Sequence, residues 1–124
     1  MKQAFYYCPH CGNIIFHLYT SGVNVVCCGV KMLKLVPNTA DAAVEKHVPA
    51  VARDGGKLAV TVGSVPHPMT EAHHISWIAA AEEDKTQSAR LSPTGQPAAD
   101  FCVGGSPVTV YAYCNLHGLW EAEG

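Results

Sequence analysis

The stretch His67-Pro-Met-Thr-Glu-Ala-His73-His74-Ile-Ser-Trp77 holds three of the chain's seven histidines in eleven residues. Before it, Lys57-Leu-Ala-Val-Thr-Val-Gly63 alternates as a half-buried strand. After it, Ile75 to Ala81 reads as another. Pro66 and Pro68 flank His67 and stiffen the backbone where a metal ligand needs fixing. The groups that could complete a site stand far off in sequence: His47 upstream, Cys114 and His117 downstream. Uniting them requires a fold that gathers several strand ends in one place. An antiparallel sandwich does this, because its loops cluster at its two ends.

The remaining pattern agrees with a mainly β chain. Asp54-Gly55-Gly56 is a hairpin turn. Glu82-Glu-Asp-Lys85 is a solvated turn, after which Thr86 to Leu91 can pair back. Ser92 to Asp100, with two prolines and a glycine, reads as a loop, and Gly104-Gly-Ser-Pro107 as a turn. Val108 to Tyr113 alternates as a strand and runs into Cys114-Asn-Leu-His117-Gly. Upstream, Pro37-Asn-Thr39 breaks the pattern as a linker. Thr39 can cap a short helical turn that delivers Glu45-Lys46-His47-Val-Pro49.

The first 36 residues carry a different signal. Cys8-Pro-His-Cys11-Gly and Cys27-Cys28 form two cysteine pairs separated by 15 residues. That spacing suits a four-thiolate tetrahedral site. Short strand signals surround it at Phe5–Cys8, Ile14–Tyr19, Val23–Val26 and Lys31–Val36. Gly12 can take the positive φ that turns backbone N–H groups toward the sulfurs. A unit this small cannot stabilise itself by burial and needs a staple. Because Cys27 and Cys28 are adjacent, the tetrahedron should be distorted. Thiolates suit zinc and iron alike, so the spacing leaves the metal open. The division is therefore 1–36 for this module and 37–124 for the sandwich.

Composition removes several functional classes. A net charge of -2 gives no footprint for nucleic acid or an anionic membrane. No apolar run approaches the roughly 20 residues of a membrane span, and the first residues lack the apolar core of a secretory signal. The expected location is the cytoplasm, where six cysteines point to metal more than to disulfides.

The second candidate site is His47, His67, His73, Cys114 and His117. Four imidazoles with a thiolate exceed the four ligands of structural zinc. Five protein ligands leave one position of an octahedron open. A thiolate opposite that opening pushes electron density through iron toward whatever binds, as an axial cysteine does in haem enzymes. Such a site belongs to redox chemistry on a small oxygen species. If Ile75 and Trp77 both face the core, alternation puts His73 on their side and favours it over His74. His10 and His17 read as surface residues, and Cys102 as an ordinary thiol without a partner pair.

Taken together, Cys8-Pro-His-Cys11-Gly with Cys27-Cys28, Glu45-Lys-His47-Val-Pro, His67-Pro-Met-x-x-x-His73, Ile75-x-Trp77-Ile and Cys114-Asn-x-His117-Gly resemble the desulfoferrodoxins. These are the two-iron class of superoxide reductase, and the matching segments span nearly the whole chain in order. The resemblance implies a desulforedoxin-like (rubredoxin-like) Fe(Cys)4 module followed by an immunoglobulin-like β-sandwich with an Fe(His)4(Cys) site. It makes His47, His67, His73 and His117 equatorial ligands and Cys114 the axial one. It also implies one-electron reduction of superoxide to hydrogen peroxide, a homodimer, and a rubredoxin-like electron donor. Lys46, beside His47 in a surface loop, would attract the anion and orient water for protonation. Glu45 resembles the glutamate that closes the open position in the oxidised state. The competing readings are a zinc-stapled, non-catalytic binding module and a simple electron-transfer iron protein. Neither accounts for four histidines and a cysteine around an open position.

Overall fold

The structure is a computed structural model and describes residues 2–124. The chain divides into two compact units, Gln3–Val36 and the remainder from Pro37 to Gly124 with Lys2.

The Gln3–Val36 unit is built from two-residue strands. These are β1 (Tyr6–Tyr7), β2 (Ile14–Ile15), β3 (Val26–Cys27), β4 (Val30–Lys31) and β5 (Leu33–Lys34). The sheet order is β2-β1-β5, with β3 and β4 as a separate hairpin. Its buried apolar side chains are Phe5, Cys8 and Met32, with Phe16 edge-on to Phe5 at 5.9 Å. So small a core cannot hold long strands. The strand expected over Ile14–Tyr19 stops at Ile15, and Leu18 and Tyr19 are 96% and 86% exposed. The strand expected over Val23–Val26 begins only at Val26.

The second unit is a sandwich of a three-stranded and a four-stranded antiparallel sheet. One turn of helix, α1 (Val44–His47), precedes β6 (Pro49–Asp54) and β7 (Lys57–Val62). Then come β8 (Ile75–Ala81), β9 (Thr86–Arg90), β10 (Ala98–Cys102), β11 (Thr109–Cys114) and β12 (Gly118–Glu123). The sheets run β10-β7-β6 and β12-β11-β8-β9. Seven strands divided this way, with consecutive strands crossing between sheets, make an immunoglobulin-like arrangement. Leu58, Val60, Val62 and Phe101 face Ile75, Ile78, Ala80, Val110, Ala112 and Cys114 across the core. Burying each of the larger aliphatics contributes about 1.5–3 kcal/mol.

Four local expectations change. Helix α1 is N-capped by Ala43 without a side-chain hydrogen bond, so Thr39 does not start it. Strand β10 occupies the end of the expected Ser92–Asp100 loop, because Phe101 buries into the core and pairs the segment with β7. Strands β6 and β12 are also present, each recruited by a long hairpin partner. Finally, Trp77 pairs with Tyr113 but Ile75 pairs with Cys114, so one extra residue lies between these pairs in β8. This bulge turns Ile75 and Trp77 to opposite faces. Ile75 is core, while Trp77 stacks on Tyr113 at 5.6 Å with planes 1° apart. Strand parity from a core-facing Ile75 and Trp77 to His73 is therefore not kept.

Candidate metal centres

In the Gln3–Val36 unit, the turn after β1 and the β3–β4 hairpin each present a cysteine pair. The sulfurs of Cys8, Cys11, Cys27 and Cys28 all lie within 4.8 Å of one another. Cys11 and Cys27 are 3.6 Å apart, and Cys27 and Cys28 are 4.0 Å apart. A tetrahedral metal with bonds of about 2.3 Å to sulfur spaces its sulfurs about 3.8 Å apart. The Cys11 N–H donates to the Cys8 sulfur at 3.4 Å, and the Asn13 amide to the Cys27 sulfur at 3.8 Å. Gly12 has φ +82°, which provides the turn. At the other pair, Cys28 itself is left-handed at φ +54°, which lets adjacent cysteines converge.

The thiols divide in acidity. The Cys11 backbone N–H holds Cys8 down to about 6. Hydrogen bonding to Cys11 pushes Cys28 up to about 12. Four clustered thiols cannot all ionise alone, and a bound cation supplies the missing positive charge.

In the sandwich, three segments meet at one end: helix α1, the β7–β8 connection, and the end of β11 with the turn that follows. Helix α1 turns His47 inward, buried, and leaves Glu45 and Lys46 exposed. The α1 turn is held by the segment after β7: Val65 N–H and Ser64 Oγ donate to the Glu45 carbonyl at 2.9 and 3.3 Å. Gly63 makes this approach possible, since a Cβ there would lie 2.6 Å from the Glu45 oxygen and 2.9 Å from the Val48 oxygen.

The imidazoles form a four-membered ring of rings. Adjacent centroids are 4.6 Å apart for His47–His67, 4.6 Å for His67–His73, 5.2 Å for His73–His117 and 5.0 Å for His117–His47. The His47–His73 diagonal is longer, at 6.4 Å. Neighbours stand at 75–89° to one another, as in a pinwheel. His47 Nε2 lies 3.2 Å from both His67 Nε2 and His117 Nδ1. The Cys114 sulfur lies 3.8 Å from His117 Nδ1. His47, His73, Cys114 and His117 also offer ligand atoms within 4.8 Å of one another.

Outer contacts orient the rings. His47 Nδ1 donates to the Ala43 carbonyl and His67 Nδ1 to the Pro68 carbonyl, both at 2.7 Å, leaving each Nε2 lone pair directed inward. Trp120 packs on His47 at 5.0 Å and donates its indole N–H to the His117 carbonyl. His73 Nε2 is buried without a hydrogen-bond partner. A buried orphan beside three inward-facing nitrogens and a thiol is what a metal ion would satisfy. Burial drives the His67 imidazole down to about 4, and it also lowers His73, with the His117 and His47 rings adding to the effect. Both rings are therefore neutral near pH 7, with lone pairs free. Burial raises the Cys114 thiol, so binding a metal there releases a proton.

The remaining candidates separate cleanly. His74 turns its Nδ1 to the Thr70 carbonyl at 2.9 Å, away from the cluster. His10 is exposed, and His17 lies against Tyr6 at 5.3 Å. Cys102 is exposed at the end of β10. Glu45 lines a shallow cleft with Val44, Val48, Pro49, Ala50 and Ser64, a lining that includes none of the histidines. Lys46 is near enough to His73 for its charge to lower that imidazole further. Sequence reasoning missed the carbonyls of Ala43 and Pro68, the indole of Trp120, and Asn115. Asn115 stands inside the Cys114-Asn-Leu-His117 motif, and that position was its only signal.

Comparison with known proteins gives the same answer along the whole chain. The family model described as Desulfoferrodoxin matches residues 39–123. The desulfoferrodoxin of Nitratidesulfovibrio vulgaris is 44% identical over 122 residues, covering 98% of this chain and 97% of its own. That of Syntrophotalea carbinolica is 46% identical over 123 residues, with 99% and 98% covered. The crystal structure of the superoxide reductase from Treponema pallidum superposes with a TM-score of 0.80 at 31% identity, covering 98% of this chain and 99% of that one. The one-iron superoxide reductase from Giardia intestinalis gives a TM-score of 0.57 at 33% identity, covering 97% of its own length but 64% of this chain. With the sequence matched from end to end and both cysteine and histidine groups in place, the chain belongs to the desulfoferrodoxin family.

Proposed function

We infer that the chain is a superoxide reductase, passing one electron to superoxide and releasing hydrogen peroxide after uptake of two protons. The observation that carries this reading is the convergence of four imidazoles and one thiol on a single point. Structural relatives that bear the superoxide reductase name support it. His47, His67, His73 and His117 are assigned as the nitrogen ligands of one iron and Cys114 as its sulfur ligand. Cys8, Cys11, Cys27 and Cys28 are assigned to a second iron, which relays or stores an electron or serves as a staple. Bound iron supplies the transferable electron and an open position for the substrate.

The chain's own residues supply the rest. The carbonyls of Ala43 and Pro68 fix two ring tautomers, so the ligand nitrogens need no rearrangement. Lys46 raises the local concentration of the superoxide anion and holds water for its protonation. Glu45, exposed on the same turn, would close the open position in the oxidised state. We also propose a rubredoxin-like electron donor, a homodimer and a cytoplasmic location. The last is supported by the use of five cysteines in two candidate metal groups rather than in disulfides. No helix among the described residues is long and apolar enough to cross a membrane.

Fast kinetics with superoxide tests the reading. The iron-loaded protein should consume superoxide and yield peroxide, and Lys46→Ala should slow the encounter about 10-fold and flatten its salt dependence. A protein that carries zinc and is colourless points to the non-catalytic module. A coloured iron protein inert to superoxide points to the electron carrier.

A further inference from the structure

Of the imidazoles in the mixed group, His73 has the least direct support. His47 and His67 are each held by a carbonyl on the ring nitrogen away from the cluster. The His73 ring makes no hydrogen bond through either nitrogen among the described residues, and its Nε2 is buried. Apart from its edge-to-face contacts with the His67 and His117 rings, the backbone around it is what fixes where that ring stands.

That backbone is clamped from two directions. Thr70 supplies the first clamp. Its N–H and hydroxyl donate to the His73 carbonyl at 2.9 and 3.1 Å, and its carbonyl and hydroxyl accept from the His73 N–H at 3.2 and 3.1 Å. Asn115 supplies the second, from a different loop. Its Nδ2 donates to the Ala72 carbonyl at 3.0 Å, and its Oδ1 accepts from the His74 N–H at 2.9 Å. Its own backbone N–H donates to the His74 carbonyl at 3.2 Å. The two amide contacts bracket His73 on its preceding and following residues. Asn115 is also bonded directly to Cys114, whose sulfur belongs to the same group.

We propose that Asn115 is the positioning residue for His73, fixing this ring relative to the Cys114 thiol by tying their two loops together. An amide is the only short side chain that both donates and accepts in this span. Aspartate keeps the acceptor for His74 N–H but loses the donor to Ala72, and alanine loses both. The inference rests on the mixed group being a metal site that uses His73, and the experiment separates the two claims.

Full-length protein is loaded with cobalt(II), and metal release to a chelator is followed through the visible bands. The four-thiolate group serves as an internal reference. Asn115→Ala should lower affinity at the mixed group about 10–100-fold, the usual cost of losing an outer-sphere contact. It should also shift that group's thiolate-to-metal band while leaving the four-thiolate bands unchanged. Asn115→Asp should fall between alanine and the parent. In a His73→Ala background the Asn115→Ala effect should vanish, because the ring it positions is gone. An unchanged band and release rate in Asn115→Ala overturns the proposal, as does an equal loss with and without His73. If His73→Ala alone leaves cobalt binding untouched, the site assignment is what fails. Where Asn115→Ala folds poorly, Asn115→Asp carries the same cycle.

Discussion

The two units place a comparable number of ligands by opposite means. In Gln3–Val36, four sulfurs come from two short turns, and the apolar core amounts to Phe5, Cys8 and Met32. In the sandwich, the candidate ligands come from three segments: helix α1, the β7–β8 connection, and the end of β11 with its turn. Behind them stands a core running from Leu58 to Cys114 with most members fully buried. In the first unit so small a core leaves a staple to be supplied, whereas in the second the sandwich core itself gathers the segments that carry the site. Proximity in sequence makes a site easy to write, and a core makes it easy to keep.

Removing metal breaks the comparison most visibly. Structural sites of this kind draw about 10–16 kcal/mol of folding free energy from the ion. Chelation should therefore make Gln3–Val36 protease-sensitive and erase its ordered signals, while the sandwich retains its β-sheet circular dichroism. Cleavage within both units at equal rates would show that the sandwich is not self-supporting.

Next in size is Gly63→Ala. The new Cβ would collide with two backbone carbonyls of the α1 turn, at a cost of about 3 kcal/mol. The denaturant midpoint should fall and metal should be lost from the mixed group. Gly105→Ala, with open space around it and no positive φ, should change neither. Equal behaviour of the two variants removes the argument from close approach.

A smaller effect is expected from pH on the chelated protein. His67 sits near 4 in the folded chain against about 6.5 unfolded. Between those values the unfolded state binds more protons, so stability rises with pH across the window and falls as the solution is acidified through it. Urea midpoints at pH 4, 5.5 and 7 measure the slope, and His67→Gln should flatten it. A slope that survives that substitution belongs to other groups.

The smallest effect belongs to Lys2, which reaches Glu121 at 2.5 Å and Glu123 at 3.1 Å while 66% exposed. Lys2→Ala should move the thermal midpoint by no more than about 0.5 kcal/mol equivalent, since solvent screens such pairs. A larger drop would mean that the sandwich depends on its edge as well as its core.

How far each part could be read from sequence follows the same division. The cysteine group is written in local spacing, and the φ of Gly12 was foreseeable from its place after Cys11. The mixed group was foreseeable only as residue types gathered at strand ends. Its inner geometry depends on tertiary contacts that no window of sequence contains, such as the Ala43 and Pro68 carbonyls. Strand β10 was invisible because Pro97 and Asp100 read as loop, whereas pairing with β7 and the burial of Phe101 decide the matter. The bulge at Trp77 was likewise hidden. The structure brings His73 into the group although Trp77 does not face the core as the alternation reading required. What turns His74 away is the carbonyl of Thr70, not strand parity.

The scatter of the mixed group along the chain also imposes an order in time. The four-thiol set is complete once Cys28 has been synthesised, whereas the imidazole set waits for His117. At roughly 5–20 residues per second the gap between them lasts several seconds on the ribosome. During that interval His47, His67 and His73 have neither Cys114 nor β11 to gather them. The growing chain can thus trap an ion early at its thiols. The mixed group, by contrast, has its full set of imidazoles and thiol only once β11 and the turn after it have been made.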